Sequence, residues 1–269
     1  MTTIDRIAAA LEPVACVRAV VLGGSRATGT ATAHSDLDIG IYYDSATLDL
    51  DGLNAAARAL DDAHRENLIC PEGGWGPWVN CGGWLTVDGM PTDLILRDVH
   101  RVERVIDETD HGEVASHYQT GHPHAFVNVM YRGELALCQP LWTRGDFPAL
   151  KARAEVYPEP MRESLLGAFG FEMGFSAGIA EKSLSTGDSC YVTGHLFRAA
   201  SAMHQVMFAL NRAYCLNEKR ASQRVEALPL HPENYARRAS AIFEVGPEEG
   251  VRRLNGLRTD VERMLQEER

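Results

Sequence analysis

The chain reads as an α+β protein in two parts, strands with flanking helices in the first half and a helical bundle in the second. Three observations carry that reading. Between Ala19 and Tyr43, two strand patterns bracket a glycine turn: the apolar run Ala19-Val20-Val21-Leu22 stops at Gly23-Gly24-Ser25, and Leu37, Ile39 and Ile41 then alternate with Asp36, Asp38 and Gly40. A second strand pair, Trp84 to Val87 and Thr92 to Leu96, flanks the hairpin dipeptide Asp88-Gly89 inside a four-residue connection. From Pro148 onward helical spacing dominates and strand alternation is scarce. The boundary is expected near Gly145, giving domains 1–145 and 146–269.

Each element has a local reason. Ile4, Ile7, Ala8 and Leu11 lie at helical spacing within residues 2–12, and Pro13 ends the pattern. A second helix is expected over 51–68, with Leu53, Ala56, Ala57, Leu60, His64 and Leu68 on one face and His64 a packed or surface residue. Residues 71–84 hold five glycines with Trp75, Trp78 and Trp84 interleaved, and read as a loop whose tryptophans either stack on a base or sugar or pack over the sheet edge. His100 to Tyr118 reads as helical and charged. Helices are expected over 161–184, 189–216, 218–228, 233–243 and 247–268, with Asp188 or Ser189 capping the second of these. The stripe of Met203, Val206, Met207, Phe208 and Leu210 is core rather than a cofactor box.

The acids set the chemistry. Asp36 and Asp38 fall on one face of their strand with Cα atoms about 6.6 Å apart, and two carboxylates held so close repel unless a cation joins them. Oxygen-only donors favour Mg²⁺ or Mn²⁺, and Mg²⁺ is commonly held by carboxylates together with substrate phosphates. Gly23, Gly24 and Ser25, at a turn into a helix, suit a phosphate. The bland alternative is a plain turn followed by an exposed strand edge. His117, His122 and His124 lack zinc-site spacing, and His122 or His124 is expected to line a substrate cleft.

Gly24-Ser25 followed by Ser35-Asp36-Leu37-Asp38 resembles the GS…DxD signature of the nucleotidyltransferase superfamily, which includes DNA polymerase β, the kanamycin and streptomycin nucleotidyltransferases and the minimal nucleotidyltransferase (MNT) antitoxins. The resemblance implies a small mixed sheet, three carboxylates, two Mg²⁺ ions and transfer of a nucleoside monophosphate. It implies a third acid on a later strand, and Asp93, in a stretch similar to a bacterial subgroup of these enzymes, takes that place. On this likeness Asp36, Asp38 and Asp93 are the metal ligands and catalytic acids. Gly24 and Ser25 hold the triphosphate, and Arg26, which departs from the small or apolar residue often seen at that place, either assists phosphate binding or covers the helix surface. Leu210-Asn211-Arg212-Ala213-Tyr214, followed by Glu218-Lys219-Arg220, resembles the helical half of antibiotic nucleotidyltransferases, which implies that Lys219 reaches the triphosphate, the alternative being a solvated lysine just after a helix; Glu134 and Glu172 are weaker candidates for an acceptor-side base.

Charge narrows the acceptor. Lys plus Arg number 26 against 37 Asp plus Glu, a net charge of −11 that disfavours a long nucleic-acid backbone and suits a small, cationic molecule. No apolar run approaches the ~20 residues of a membrane span, and the N-terminus has no signal-peptide pattern, so a cytoplasmic protein is expected. Six cysteines without metal or paired spacing are expected to be reduced and mostly structural. The leading expectation is NMP transfer from an NTP, most simply ATP, to a hydroxyl of an aminoglycoside-like molecule. The alternatives are AMP transfer to a protein, as in MNT antitoxins, and a non-catalytic nucleotide-binding module.

Overall fold

The computed structural model describes residues 1–29, 31–32 and 35–268. The chain divides into two compact units, one of residues 1–107, 119–121 and 131–156, the other of residues 108–118, 122–130 and 157–269.

The first unit is built on a five-stranded mixed sheet. Along the chain run α1 (Thr3–Leu11), β1 (Val17–Leu22), α2 (Gly24–Ala27), β2 (Leu37–Tyr43), α3 (Leu50–Leu60), β3 (Cys81–Val87), β4 (Met90–Asp98), α4 (Val99–Asp110), β5 (Ser116–His117), β6 (Phe126–Val127), α5 (Val129–Leu137), β7 (Gln139–Thr143) and α6 (Phe147–Glu155). The sheet order is β3-β4-β2-β1-β7, with β5 and β6 a separate pair. β2 and β4 run parallel, and the other neighbours in the sheet pair antiparallel. β7 carries no alternating pattern, so periodicity gives no sign of it.

One sheet face makes the core. Leu37, Ile39 and Ile41 of β2 and Leu94 and Leu96 of β4 are buried with Ile7 and Leu11 of α1 and Leu53, Ala57 and Leu60 of α3. α1 begins with a capping box in which Thr2 accepts from the Asp5 N–H and Asp5 accepts from the Thr2 N–H, satisfying two donors at the helix start. On the opposite face Tyr42 packs edge-on against Phe147, and Arg97, 4 % exposed, forms a two-pronged ion pair with Glu134 of α5 at 2.7 and 2.9 Å.

Several boundaries differ from the sequence reading. The second helix ends at Leu60, not residue 68, because Asp61 leaves the helix to serve the edge strand. Its carboxylate accepts from the Thr86 N–H at 3.0 Å and from the Arg65 guanidinium at 2.7 and 2.9 Å. His64, at φ +51°, lies exposed in the turn that follows. Asp88 and Gly89, at φ +51° and +75°, form a two-residue loop closed by the Val87–Met90 pair, tighter than the four-residue connection expected. Gly82 and Gly83 belong to β3 instead of the preceding loop. A Cβ at Gly82 would stand 2.4 Å from the Trp75 ring, so the strand is bare where the tryptophan lies on it. The helix expected over 100–118 stops at Asp110, and Ser116–His117 pairs with Phe126–Val127.

The second unit holds the β5/β6 pair and the helices α7 (Glu159–Ser183), α8 (Ser189–Leu210), α9 (Ala221–Glu226), α10 (Tyr235–Ala241) and α11 (Pro247–Glu267), close to the expected segments. Asp188 caps α8 by accepting from the Tyr191 N–H, and Met203, Val206, Met207, Phe208 and Leu210 are buried as expected. Burial pushes the His204 imidazole down to about 4, so the ring is neutral near pH 7. Among the described residues no helix is long and apolar enough to cross a membrane, and no cysteine is in a disulfide.

Asp61 yields a test of how the outer edge is held. The Arg65 hydrogen bond above all, aided by the Thr86 N–H, holds its carboxyl well below the usual carboxylate range. A depressed native pKa contributes stability that is present above the unfolded value of about 4 and is lost as pH falls through the native one. Asp61→Ala is expected to lower unfolding stability by roughly 2 to 4 kcal/mol at pH 7, because a strand N–H and a guanidinium lose their acceptor. In urea melts the gap between wild type and the variant should be widest above pH ~5 and narrow toward pH ~3; a gap independent of pH would show that the charge of Asp61 does not hold β3.

Candidate functional site

The site begins where β1 ends. The Gly23 N–H donates to the Asp38 carbonyl at 2.8 Å, which ties the turn to β2. Gly24 adopts φ +57°, and a Cβ there would stand 1.8 Å from Asp38 Oδ2. Glycine is therefore required twice over, for the left-handed backbone and because the Asp38 carboxylate occupies the space of a side chain. Gly23, by contrast, has an extended backbone and no atom closer than 3.6 Å to its ideal Cβ.

The register of β2 and β4 brings the acids together. Asp38 is the direct partner of Asp93 in the parallel ladder, and Asp93 is the direct partner of Trp84 across the β3/β4 hairpin. Paired positions share a sheet face with strands about 4.8 Å apart, so the row Asp38, Asp93, Trp84 crosses one face of the sheet. Both acids are partly buried. The row lies opposite the core layer, since the buried Leu37, Ile39 and Leu94 alternate with these acids along their strands.

The remaining predicted residues fall around this row with less convergence. Asp36 is exposed and lies one residue before the start of β2. Ser25 is partly buried in α2. Arg26 reaches back along the incoming chain, donating to the Ser35 carbonyl at 2.7 Å and the Asp36 carbonyl at 3.2 Å, so it fixes the approach to β2. Lys219 is exposed in the second unit, where its backbone N–H donates to Asn217 Oδ1. Both Glu134 oxygens accept from Arg97, which gives that acid a structural role.

Glu172 belongs to the second unit, with His124 Nε2 3.0 Å from its Oε1 and Arg198 on the same oxygen. Burial alone would raise its carboxyl; the His124 hydrogen bond and the nearby positive charges outweigh that and hold it below the usual range. His122 stands 3.3 Å from Glu218, whose other oxygen accepts from the His124 and Ala125 N–H groups. The two histidines thus pair with glutamates inside the second unit.

Among the described residues, no three His, Cys, Asp or Glu side chains stand close enough to hold a metal ion together. What the sheet brings side by side is the pair Asp38 and Asp93. Two hard oxygen donors on adjoining strands fit a Mg²⁺ ion, which takes one or two carboxylates and completes its shell with water and substrate phosphate. The third member of the row, Trp84, is not singled out by motif. A signal for it exists all the same, because a two-residue loop at Asp88-Gly89 sets Trp84 opposite Asp93 by counting.

The two neighbouring glycines separate backbone from packing. Gly24→Ala is expected to destabilise the first unit by roughly 1 to 3 kcal/mol and to displace the Asp38 carboxylate, whereas Gly23→Ala should stay within about 1 kcal/mol of wild type. Thermal unfolding of both variants checks this, and equal losses would refute the close approach of Asp38 to Gly24.

Residues 3–72 match the family model of the nucleotidyltransferase domain. Among solved structures, a nucleotidyltransferase-like protein from Exiguobacterium sibiricum 255-15 aligns over 96% of this chain and 71% of its own, at 10% identity and a TM-score of 0.45. Among curated proteins none matches the chain. The family match spans β1, the glycine turn and β2 with Asp38, so the likeness to a nucleotidyltransferase domain rests on the segment that carries the turn and the first acid of the row.

Proposed function

We propose that the protein transfers a nucleoside monophosphate, from ATP in the simplest case, to a hydroxyl of a small molecule and releases pyrophosphate in a Mg²⁺-dependent reaction. The observation that carries this reading is the Asp38–Asp93 pair on neighbouring parallel strands, with the Gly24 turn folded against the first of them. A bound Mg²⁺ would neutralise charge on the α-phosphate and on the leaving pyrophosphate.

In the transfer, the acceptor oxygen bonds to the α-phosphorus while the bond from that phosphorus to the oxygen bridging to the β-phosphate breaks, and the electron pair leaves with pyrophosphate. The hydroxyl proton needs a base near the attacking oxygen, and Asp93 is assigned that position because it lies one strand farther from the turn than Asp38. Ser25 and the small residues of the turn let the phosphate tail approach the main chain closely. Asp36, exposed beside the entry to β2, is the third carboxylate of this reading, and Arg26 keeps its backbone in place.

ATP labelled in its α-phosphate, incubated with the protein, Mg²⁺ and a panel of aminoglycosides and lincosamides, is expected to label a small molecule; a parallel incubation with cell lysate separates transfer to protein. Asp38→Asn and Asp93→Asn should each cut transfer by at least about a hundredfold. Their thermal midpoints should be unchanged or higher, since each change relieves a like-charge contact. Full activity in either variant would end the assignment.

A further inference from the structure

The aromatic pair at the sheet edge has a placement that core packing does not account for. Trp84 is 63 % exposed, and its ring stacks on Trp75 with centroids 4.7 Å apart and planes 25° from parallel. Trp78, the third tryptophan of this stretch, serves the fold: Arg101 lies over its ring at 4.2 Å, and its carbonyl accepts from the Tyr131 hydroxyl.

Trp75 is held by a tightly bonded loop. Its N–H donates to the Asn80 carbonyl at 2.8 Å, its carbonyl accepts from Gln119 Nε2 at 2.6 Å, and Gln119 Oε1 receives the N–H groups of Trp78 and Val79 at 3.0 and 3.2 Å. Gly82 beneath it leaves room for the ring. On the other side, Arg65 donates to the Trp84 carbonyl at 3.1 Å, fixing the strand that carries the exposed indole. A large apolar ring held rigidly toward water is preorganised for stacking.

Its position says which partner. From the turn outward the order is Gly24, Asp38 on β2, Asp93 on β4 and Trp84 on β3, the edge strand. Nucleotidyl displacement is in line, so attacking and leaving oxygens lie on opposite sides of the phosphorus. With the pyrophosphate at the glycine turn, the attacking hydroxyl comes from the Asp93 side, where the next side chain in the row is Trp84. We propose that Trp84, backed by Trp75, is the acceptor-stacking residue, and that the acceptor carries its reacting hydroxyl on or beside a ring with an apolar face, sugar or aromatic, that lies on the indole. This rests on the nucleotidyl-transfer reading above and adds to it the shape of the acceptor.

Steady-state transfer and a binding signal together test it. For whichever acceptor the panel labels, Trp84→Ala should raise the acceptor KM about tenfold, with the KM for ATP within about twofold of wild type, and Trp84→Phe should recover most of the loss. A raised ATP KM with an unchanged acceptor KM would overturn the assignment in favour of nucleobase stacking, and unchanged values for both would overturn it outright. Independently of turnover, protein labelled with ¹⁵N at the indoles should show the Trp84 resonance shift on adding kanamycin, lincomycin or a phenolic glycoside, and not with ATP and Mg²⁺ alone. The saturated and aromatic rings of these probes distinguish the two sources of a ring face. If wild type transfers no label, the function proposed above fails, while the indole shift still decides the stacking role; no shift with any ring probe sinks it.

Discussion

The parallel register of β2 against β4 is the constraint on which the rest depends. A slip of one residue would set Thr92 or Leu94 beside Asp38 and turn an acid toward the core. The slip is opposed on both faces. On the core side the paired Ile39–Leu94 and Ile41–Leu96 positions are fully buried beneath α1 and α3. On the other side Arg97 is locked to Glu134 and donates to the Val79 carbonyl at 2.6 Å, so β4 is fixed by a charge as well as by packing.

The same logic extends outward to the edge. Two consecutive acids after α3 serve the β3/β4 hairpin: Asp61 accepts from the Thr86 N–H, and Asp62 accepts from the Asp88 and Gly89 N–H groups at 3.0 and 2.8 Å. An edge strand with a polar tether keeps its position without a second neighbour. That tether, with the Arg65 bond to the Trp84 carbonyl, makes the aromatic end of the row as well defined as its acidic end.

The faces of the central strands are legible in the sequence, and the features that are not share a cause. The alternation of Leu37, Ile39 and Ile41 with Asp38 and Gly40 gives β2 and the direction of Asp38, because a half-buried strand writes its two faces into the chain, whereas Asp36 falls one residue before the strand. Asp93 is reached through the family resemblance instead, since the apolar Ile95 two residues on shares its face and blurs the alternation. Pairings between distant segments are not written locally. Asp61 reads as one more helical residue until the Thr86 N–H, 25 positions later, is seen to need an acceptor. Glu134 reads as a candidate acceptor-side base until Arg97 is found buried beside it. Gly82 and Gly83 read as loop because glycine signals a break, and tertiary contact overrides that signal where the Trp75 ring needs a bare strand.

Like charges placed directly across a ladder destabilise a sheet, so Asp38 opposite Asp93 is an arrangement that folding alone does not favour. Beside it, the Asp38 carboxylate fills the space that a side chain at position 24 would need, which restricts that position to glycine. A sequence whose patterning, capping and packing otherwise agree usually departs from local rules where chemistry is done. Elsewhere in the unit, Asp44, Asp61 and Glu134 supply stability through arginine partners. A scaffold tied so firmly on either side can hold two carboxylates at a fixed spacing without collapse. That fixed spacing is what transfer at a phosphorus atom requires, since preorganised charge acts without reorganising during the reaction.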